Sequence, residues 1–222
     1  MIRRHGVNIT LDPATAHPLL ILSADGKQVV CAESQQSVSP SKDRFDTELC
    51  VLAQESISHG RNYYEVLLQG SREWIIGLMP EHIDRSGPLD RTADLYLALQ
   101  LHDGSCYASE HGGTPVQLRE DIQRVGVFVD YEEGDVSFYD VEDSCIVLLY
   151  SFTGYYFPDA LFPIFSPGRG DEDHSVPLVI LPVWEVEFRP LLTYEVKSDK
   201  IKVENFLTAK LSTNADVAAL HV

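Results

Sequence analysis

Apolar and polar positions along this chain alternate with a period of two, in short runs separated by Gly, Pro, Asp and Ser. The clearest stretch is residues 125–141. Two β-branched and aromatic runs, 125–131 and 136–141, flank Glu132-Glu133-Gly134-Asp135, which predicts a hairpin. Val125, Val127, Val129 and Tyr131 share one face of the first strand, and Phe128 lies on the other. A strand that is apolar on both faces belongs inside a covered sheet rather than at a wet edge. Asp130 breaks the pattern. A carboxylate beside a core needs hydrogen-bond donors, and the adjacent turn is expected to supply backbone N–H groups.

The rest of the chain follows the same grammar. Residues 11–18 read as a turn with Asp12 as its cap and Pro13 at its first position. Residues 19–22 and 28–31 flank an Asp25-Gly26 turn, and 50–52 read as a short buried strand. Residues 60–68 and 73–79 are expected to pair with each other across Gly70-Ser71. Residues 95–102 and 106–108 flank an Asp103-Gly104 turn, and strands are expected near 145–152, 161–165 and 179–181. Polar, irregular stretches at 33–43, 80–93, 109–123 and 166–170 read as loops. Many short strands at regular spacing, with almost no helical period, predict an all-β fold, a β-sandwich of antiparallel sheets. Beyond Trp184, residues 183–188 alternate like a strand and 194–196 could pair with them, while 200–220 fit helix and strand equally.

Charge narrows the partners. The chain carries 17 Lys+Arg against 34 Asp+Glu, a formal charge of −17. Nucleic acids and anionic membranes need a basic patch, so neither is an expected partner. The acidity fits two readings equally, solubility or recognition of a basic protein partner. No apolar run is long enough for a membrane-spanning helix, so no membrane insertion is expected. Residues 1–6 lack the apolar core of a signal peptide, which predicts a cytoplasmic location. Cys31, Cys50, Cys106 and Cys145 are widely spaced and are expected to be free thiols.

No P-loop, dinucleotide fingerprint, His-Glu-x-x-His or Gly-x-Ser-x-Gly motif occurs, so no enzymatic activity is expected. Asp171-Glu172-Asp173-His174 is contiguous rather than spaced around one ion and reads as a solvated loop. No catalytic residue, metal site or cofactor is assigned.

Three short signatures, in order, carry a family resemblance: Leu11-Asp12-Pro13, Tyr64-Glu65-Val66-Leu67 and Val129-Asp130-Tyr131-Glu132. Arg44-Phe45-Asp46, Trp74 with Gly77, and Phe162-Pro163 through Ser166-Pro167-Gly168 accompany them. From Gly6 to Val183 the chain resembles the PRY–SPRY domains of tripartite-motif ubiquitin ligases, butyrophilins and related immune proteins. Tyr64, Leu67 and Val129 stand where the family usually has Trp, Glu and Leu.

The resemblance implies a twisted sandwich of two antiparallel sheets, with a PRY segment at 6–58 packed on an SPRY domain at 59–183 and an extension at 184–222. It implies a non-catalytic recognition module, as in the substrate- or pathogen-recognition domain of a tripartite-motif ligase in innate immunity. A butyrophilin-like small-ligand sensor and a regulatory module of an immune receptor are the alternatives. Any ligase activity would need a RING segment, which this sequence lacks. The antibody-binding member's contact positions match Ile75, Leu99, Leu101 and Arg169, none of which keeps its residue type, so antibody Fc binding is not expected.

Recognition residues sit preferentially on loops held by a rigid scaffold. The long loops are expected to converge at one end, with Arg85, Arg91, Tyr107, His111 and Arg169 as anchors and Leu99 and Leu101 as the floor between them.

Overall fold

Both strands of the central hairpin form as expected, and their neighbours place them deep inside a sheet. A computed structural model describes residues 2–39, 41–89, 95–142, 145–169 and 176–182. In chain order the strands are β1 (Leu20–Leu22), β2 (Gln28–Cys31), β3 (Val51–Leu52), β4 (Arg61–Leu67), β5 (Trp74–Pro80), β6 (Leu97–His102) and β7 (Ser105–Ala108). They continue with β8 (Thr114–Val116), β9 (Arg124–Asp130), β10 (Asp135–Val141), β11 (Ile146–Phe152), β12 (Leu161–Ser166) and β13 (Leu178–Ile180). Among the described residues the only helical turns are 3-10, at Ile2–His5 and Glu110–Gly112.

Two antiparallel sheets form. One is ordered β1-β2-β13-β4-β9-β10-β11, the other β3-β12-β5-β6-β7-β8. The N-terminal segment therefore does more than pack on the sandwich. It contributes β1 and β2 to the first sheet and β3 to the second.

One apolar core lies between the sheets. Val125, Val127, Val129, Val136 and Phe138 meet Trp74, Ile76, Leu78, Leu97 and Leu99 there, all essentially buried. A second, smaller core covers the outer face of the six-stranded sheet. Phe45, Cys50 and Leu89 from the connecting segments cover Ile75, Met79, Ala98 and Ile164. Strand β5 is buried along its whole length because it has apolar neighbours on both faces.

Two expectations are corrected. The strands at 61–67 and 74–80 do not pair with each other. Strand β4 lies between β13 and β9, whereas β5 lies between β12 and β6 in the other sheet. The turn at Gln69 and Gly70, both with positive φ, carries the chain between sheets. Burial is the reason: each strand is apolar enough to be central, so each takes two partners. The second correction concerns Asp130. Its Oδ2 accepts from Arg61 Nε at 2.7 Å, across a register in which the two residues face each other. A neighbouring guanidinium, rather than turn amides, satisfies this carboxylate.

The Asp103-Gly104 turn forms as expected, with φ of 49° and 72°, the left-handed pair that a tight two-residue hairpin requires. The loop at 109–123 is more ordered than its composition suggests, since it contains a 3-10 turn and β8. The strand-like readings beyond Trp184, and the cluster at 171–174, lie outside the described residues.

Candidate functional site

Three adjacent strands of the second sheet place Ser166, Ile75 and Gln100 side by side, and β7 adds Tyr107 next to Gln100. Side chains alternate along β6, so Ala98 and Gln100 occupy the outer face and Leu97 and Leu99 the inner one. The segment at 47–49 rises on one flank of this row. Ser166, Gly168 and Arg169 close another. Between them lies an open depression of about 430 Å³, lined also by Glu48, Glu73, Leu101 and His102.

Its polar rim is organised by Glu73. Glu73 Oε1 lies 3.1 Å from His102 Nδ1, and Glu73 Oε2 accepts from the Arg169 backbone N–H at 3.2 Å. His102 Nε2 in turn lies 3.3 Å from Asp103 Oδ2. Gly168 permits this closeness. Its φ is +67°, and a Cβ there would run into the Glu73 side chain. Glu48, on the opposite flank, accepts from the Leu89 backbone N–H at 3.3 Å, which ties the 47–49 segment to the loop after β5. The depression thus has an apolar and amide floor, a rim that sets two acids, Glu48 and Glu73, beside His102, and one exposed guanidinium, Arg169.

The structure sorts the residues expected from sequence. Leu101 and Arg169 line the depression together. Tyr107, half-buried, extends its floor by one strand. Leu99 does not line it: this side chain is 0% exposed and faces the inter-sheet core, so its assignment to the floor is corrected to Gln100, one residue on. Arg85 is not a free anchor either. Its guanidinium donates to the Asp43 carbonyl at 3.1 Å and to the Glu81 carbonyl at 3.2 Å, with its side chain only 10% exposed. It straps two long loops to each other, which is a structural task. His111 lies in the 3-10 turn Glu110–Gly112, and Arg91 lies outside the described residues. The loop carrying His111 is tied to the other sheet. Glu110 accepts from the Tyr155 hydroxyl at 2.7 Å and from Tyr150, while Arg119 donates from Nε to Asp140 at 2.6 Å.

Sequence reasoning missed Gln100, Glu73 and His102. The signal was present in the alternation of β6: once Leu97 and Leu99 are placed in the core, Gln100 and His102 must face out.

Known proteins agree with this architecture. Residues 9–57 match the PRY model, described as the SPRY-associated domain, and residues 61–176 match the SPRY domain model. The chain is 35% identical over 191 residues to the E3 ubiquitin-protein ligase TRIM21 of Bos taurus, covering 82% of this chain and 39% of that protein. It is 36% identical over 180 residues to butyrophilin subfamily 1 member A1 of Homo sapiens, covering 81% of this chain and 33% of that protein. The chain therefore spans well under half the length of these relatives. The crystal structure of the TRIM65 PSpry domain superposes with a TM-score of 0.71 at 21% identity, over 82% of this chain and 93% of that one, a likeness of fold.

These matches define a β-sandwich recognition domain. The chain belongs to the PRY–SPRY family, whose members here are tripartite-motif ligases and butyrophilins, and it is a protein-interaction module of that kind.

Proposed function

We propose that this chain is the recognition domain of a tripartite-motif-like ubiquitin ligase in innate immunity, acting in the cytoplasm and binding its target protein in the depression on the outer face of the six-stranded sheet. The observation that carries this reading is the row Ile75–Gln100–Tyr107, set between the 47–49 segment and Arg169. It offers an open floor, hydrogen-bonding groups and a charged rim, the composition that protein contacts favour. The relatives named ligases support the ligase context. Four cysteines that form no disulfide suit a reducing compartment. Catalysis is assigned to a separate segment of the parent protein rather than to this domain.

Affinity capture from cells with the wild-type domain and with Gln100→Arg and Arg169→Ala tests this reading. Both positions are outside the inter-sheet core, so both variants should remain folded at the temperature of capture. The expected result is a set of captured proteins that both variants lose. Capture unchanged by either substitution would refute the location of the site.

A further inference from the structure

Three of the four sheet edges are short. β1 and β8 have three residues each, β3 has two, and β8 contains Pro115. The fourth edge is β11, which has seven residues, Ile-Val-Leu-Leu-Tyr-Ser-Phe, with no charge and no proline. Among the described residues no strand pairs with its outer side. Val147 and Leu148 are 53% and 55% exposed. Long apolar edges are normally blunted, because their unpaired N–H and C=O groups template the addition of another strand. Among the described residues the blunting device of this strand is a bulge. The register with β10 slips between Phe138↔Tyr150 and Tyr139↔Leu148, leaving Leu149 as the extra residue. The stretches 146–148 and 150–152 on either side remain regular.

The surrounding charge indicates what would lie there. From residue 125 to residue 168 the sequence holds eight Asp or Glu and no Lys, Arg or His. Several of these acids stand at the two ends of β11. Glu142 adjoins its start, where Arg119 pairs with it and with Asp140. Glu133 and Asp135 stand in the β9–β10 turn beside its end, where Asp135 accepts from the Gly154 N–H at 3.0 Å; Glu132 of the same turn accepts from the Gly60 N–H and belongs to the β4 side. An uncharged edge is thus framed by acids, with those at its start partly offset by Arg119 and those at its end facing no cation within residues 125–168. A second copy of this chain added to the same edge would set acidic ends against acidic ends, across molecules that each carry −17.

We propose that the outer edge of β11 receives an extended segment of another protein, apolar in its middle and rich in Lys or Arg at both ends, as an added strand. Backbone hydrogen bonds to 146–148 and 150–152 would hold it, Val147 and Leu148 would pack on its side chains from opposite faces of the sheet, and the flanking acids would set its charge preference. This surface is separate from the depression on the other sheet, so each can be tested without the other.

The test uses the full chain, the peptide KRVTVTVRK and its acidic counterpart EEVTVTVEE, read by amide hydrogen exchange and by titration. The basic peptide should slow exchange at residues 146–152 and bind about tenfold or more tighter than the acidic one. Its binding should weaken as salt is raised. Leu148→Lys and, independently, Val147→Lys should weaken it about tenfold while leaving the melting temperature unchanged. Protection elsewhere, equal binding of the acidic peptide, or no binding at millimolar peptide would overturn the proposal. So would protection, already in the free monomer, of the β11 amides that face away from β10, or a concentration-dependent dimer abolished by Leu148→Lys. Either would show that this chain covers its own edge.

Discussion

Arg3 Nε stands 2.9 Å from Glu65 Oε1, and Glu65 is 0% exposed in the middle of β4. The same oxygen accepts from the Tyr63 hydroxyl at 2.9 Å, and Arg124 lies 3.7 Å from the other carboxylate oxygen. A carboxylate taken fully out of water costs several kcal/mol unless cations and donors surround it. The 3-10 turn at Ile2–His5 is thereby anchored to the outer face of the seven-stranded sheet, where His5 also packs edge-on against Phe128. Arg3→Met should lower stability by about 3 kcal/mol, since Glu65 keeps its charge and loses its nearest cation. Adding Glu65→Gln should recover most of that loss, because the amide is neutral and still accepts from Tyr63. Chemical denaturation of both variants checks this; a double variant no more stable than Arg3→Met would contradict it.

His17 gives the fold a pH dependence of known sign. Its ring is buried, and Nδ1 accepts from the Leu19 backbone N–H at 3.1 Å. Burial holds its pKa below the ordinary 6.5. The unfolded chain therefore takes up a proton at a higher pH than the folded one, and stability falls as the pH drops through 6.5 toward the lowered folded value. His17→Asn can keep the acceptor without titrating. Melting temperatures measured between about pH 5 and 7.5 should slope less steeply in this variant. Parallel slopes would remove His17 as a source of the dependence.

Thiol reactivity should divide sharply. Cys31, Cys50 and Cys106 are buried, and Cys145 is exposed. Burial raises the Cys31 thiol and pushes Cys106 up to about 12, so neither offers much thiolate near neutral pH. Cys145, whose Sγ lies 3.4 Å from Glu142 Oε2, should be the first to react with a thiol reagent. Without reductant, the native protein should show one fast thiol and the denatured protein four. Two or fewer in the denatured protein would mean disulfides, and would count against a reducing compartment.

The central hairpin was legible because its two halves are periodic and its turn is local chemistry: Glu132-Glu133-Gly134-Asp135 leaves little alternative. The same holds for Asp25-Gly26 and Asp103-Gly104. The pairing of residues 60–68 with 73–79 misled, because Gly70-Ser71 looks like a hairpin turn and the sequence does not say which sheet a fully apolar strand joins. Partners that settle that question, β12 and β13, lie about a hundred residues further on. The candidate site was half-legible for a related reason. Loop composition pointed to Arg169, and strand position to Leu101 and Tyr107. The face of β6 depends on which of two alternating sets meets the core, and a shift of one residue exchanges Leu99 for Gln100.

That one-residue shift can be tested directly. Leu99 is 0% exposed and sits among Leu97, Ile76 and other core residues, so Leu99→Ala removes buried methyl groups and leaves a cavity. It should cost about 2–5 kcal/mol. Gln100, on the opposite face in line with Ile75 and Tyr107, is not part of either core. Gln100→Ala opens no cavity in either core and should cost about 1 kcal/mol or less. If the depression is the recognition surface, the two variants should separate in opposite ways: Leu99→Ala loses stability but, at a temperature where it stays folded, binds as wild type does. Gln100→Arg stays folded at that temperature and loses the partner. Equilibrium unfolding together with binding at a temperature well below both midpoints resolves the pair. Folded Leu99→Ala protein with a specific binding defect would return Leu99 to the site and reverse the assignment of faces on β6.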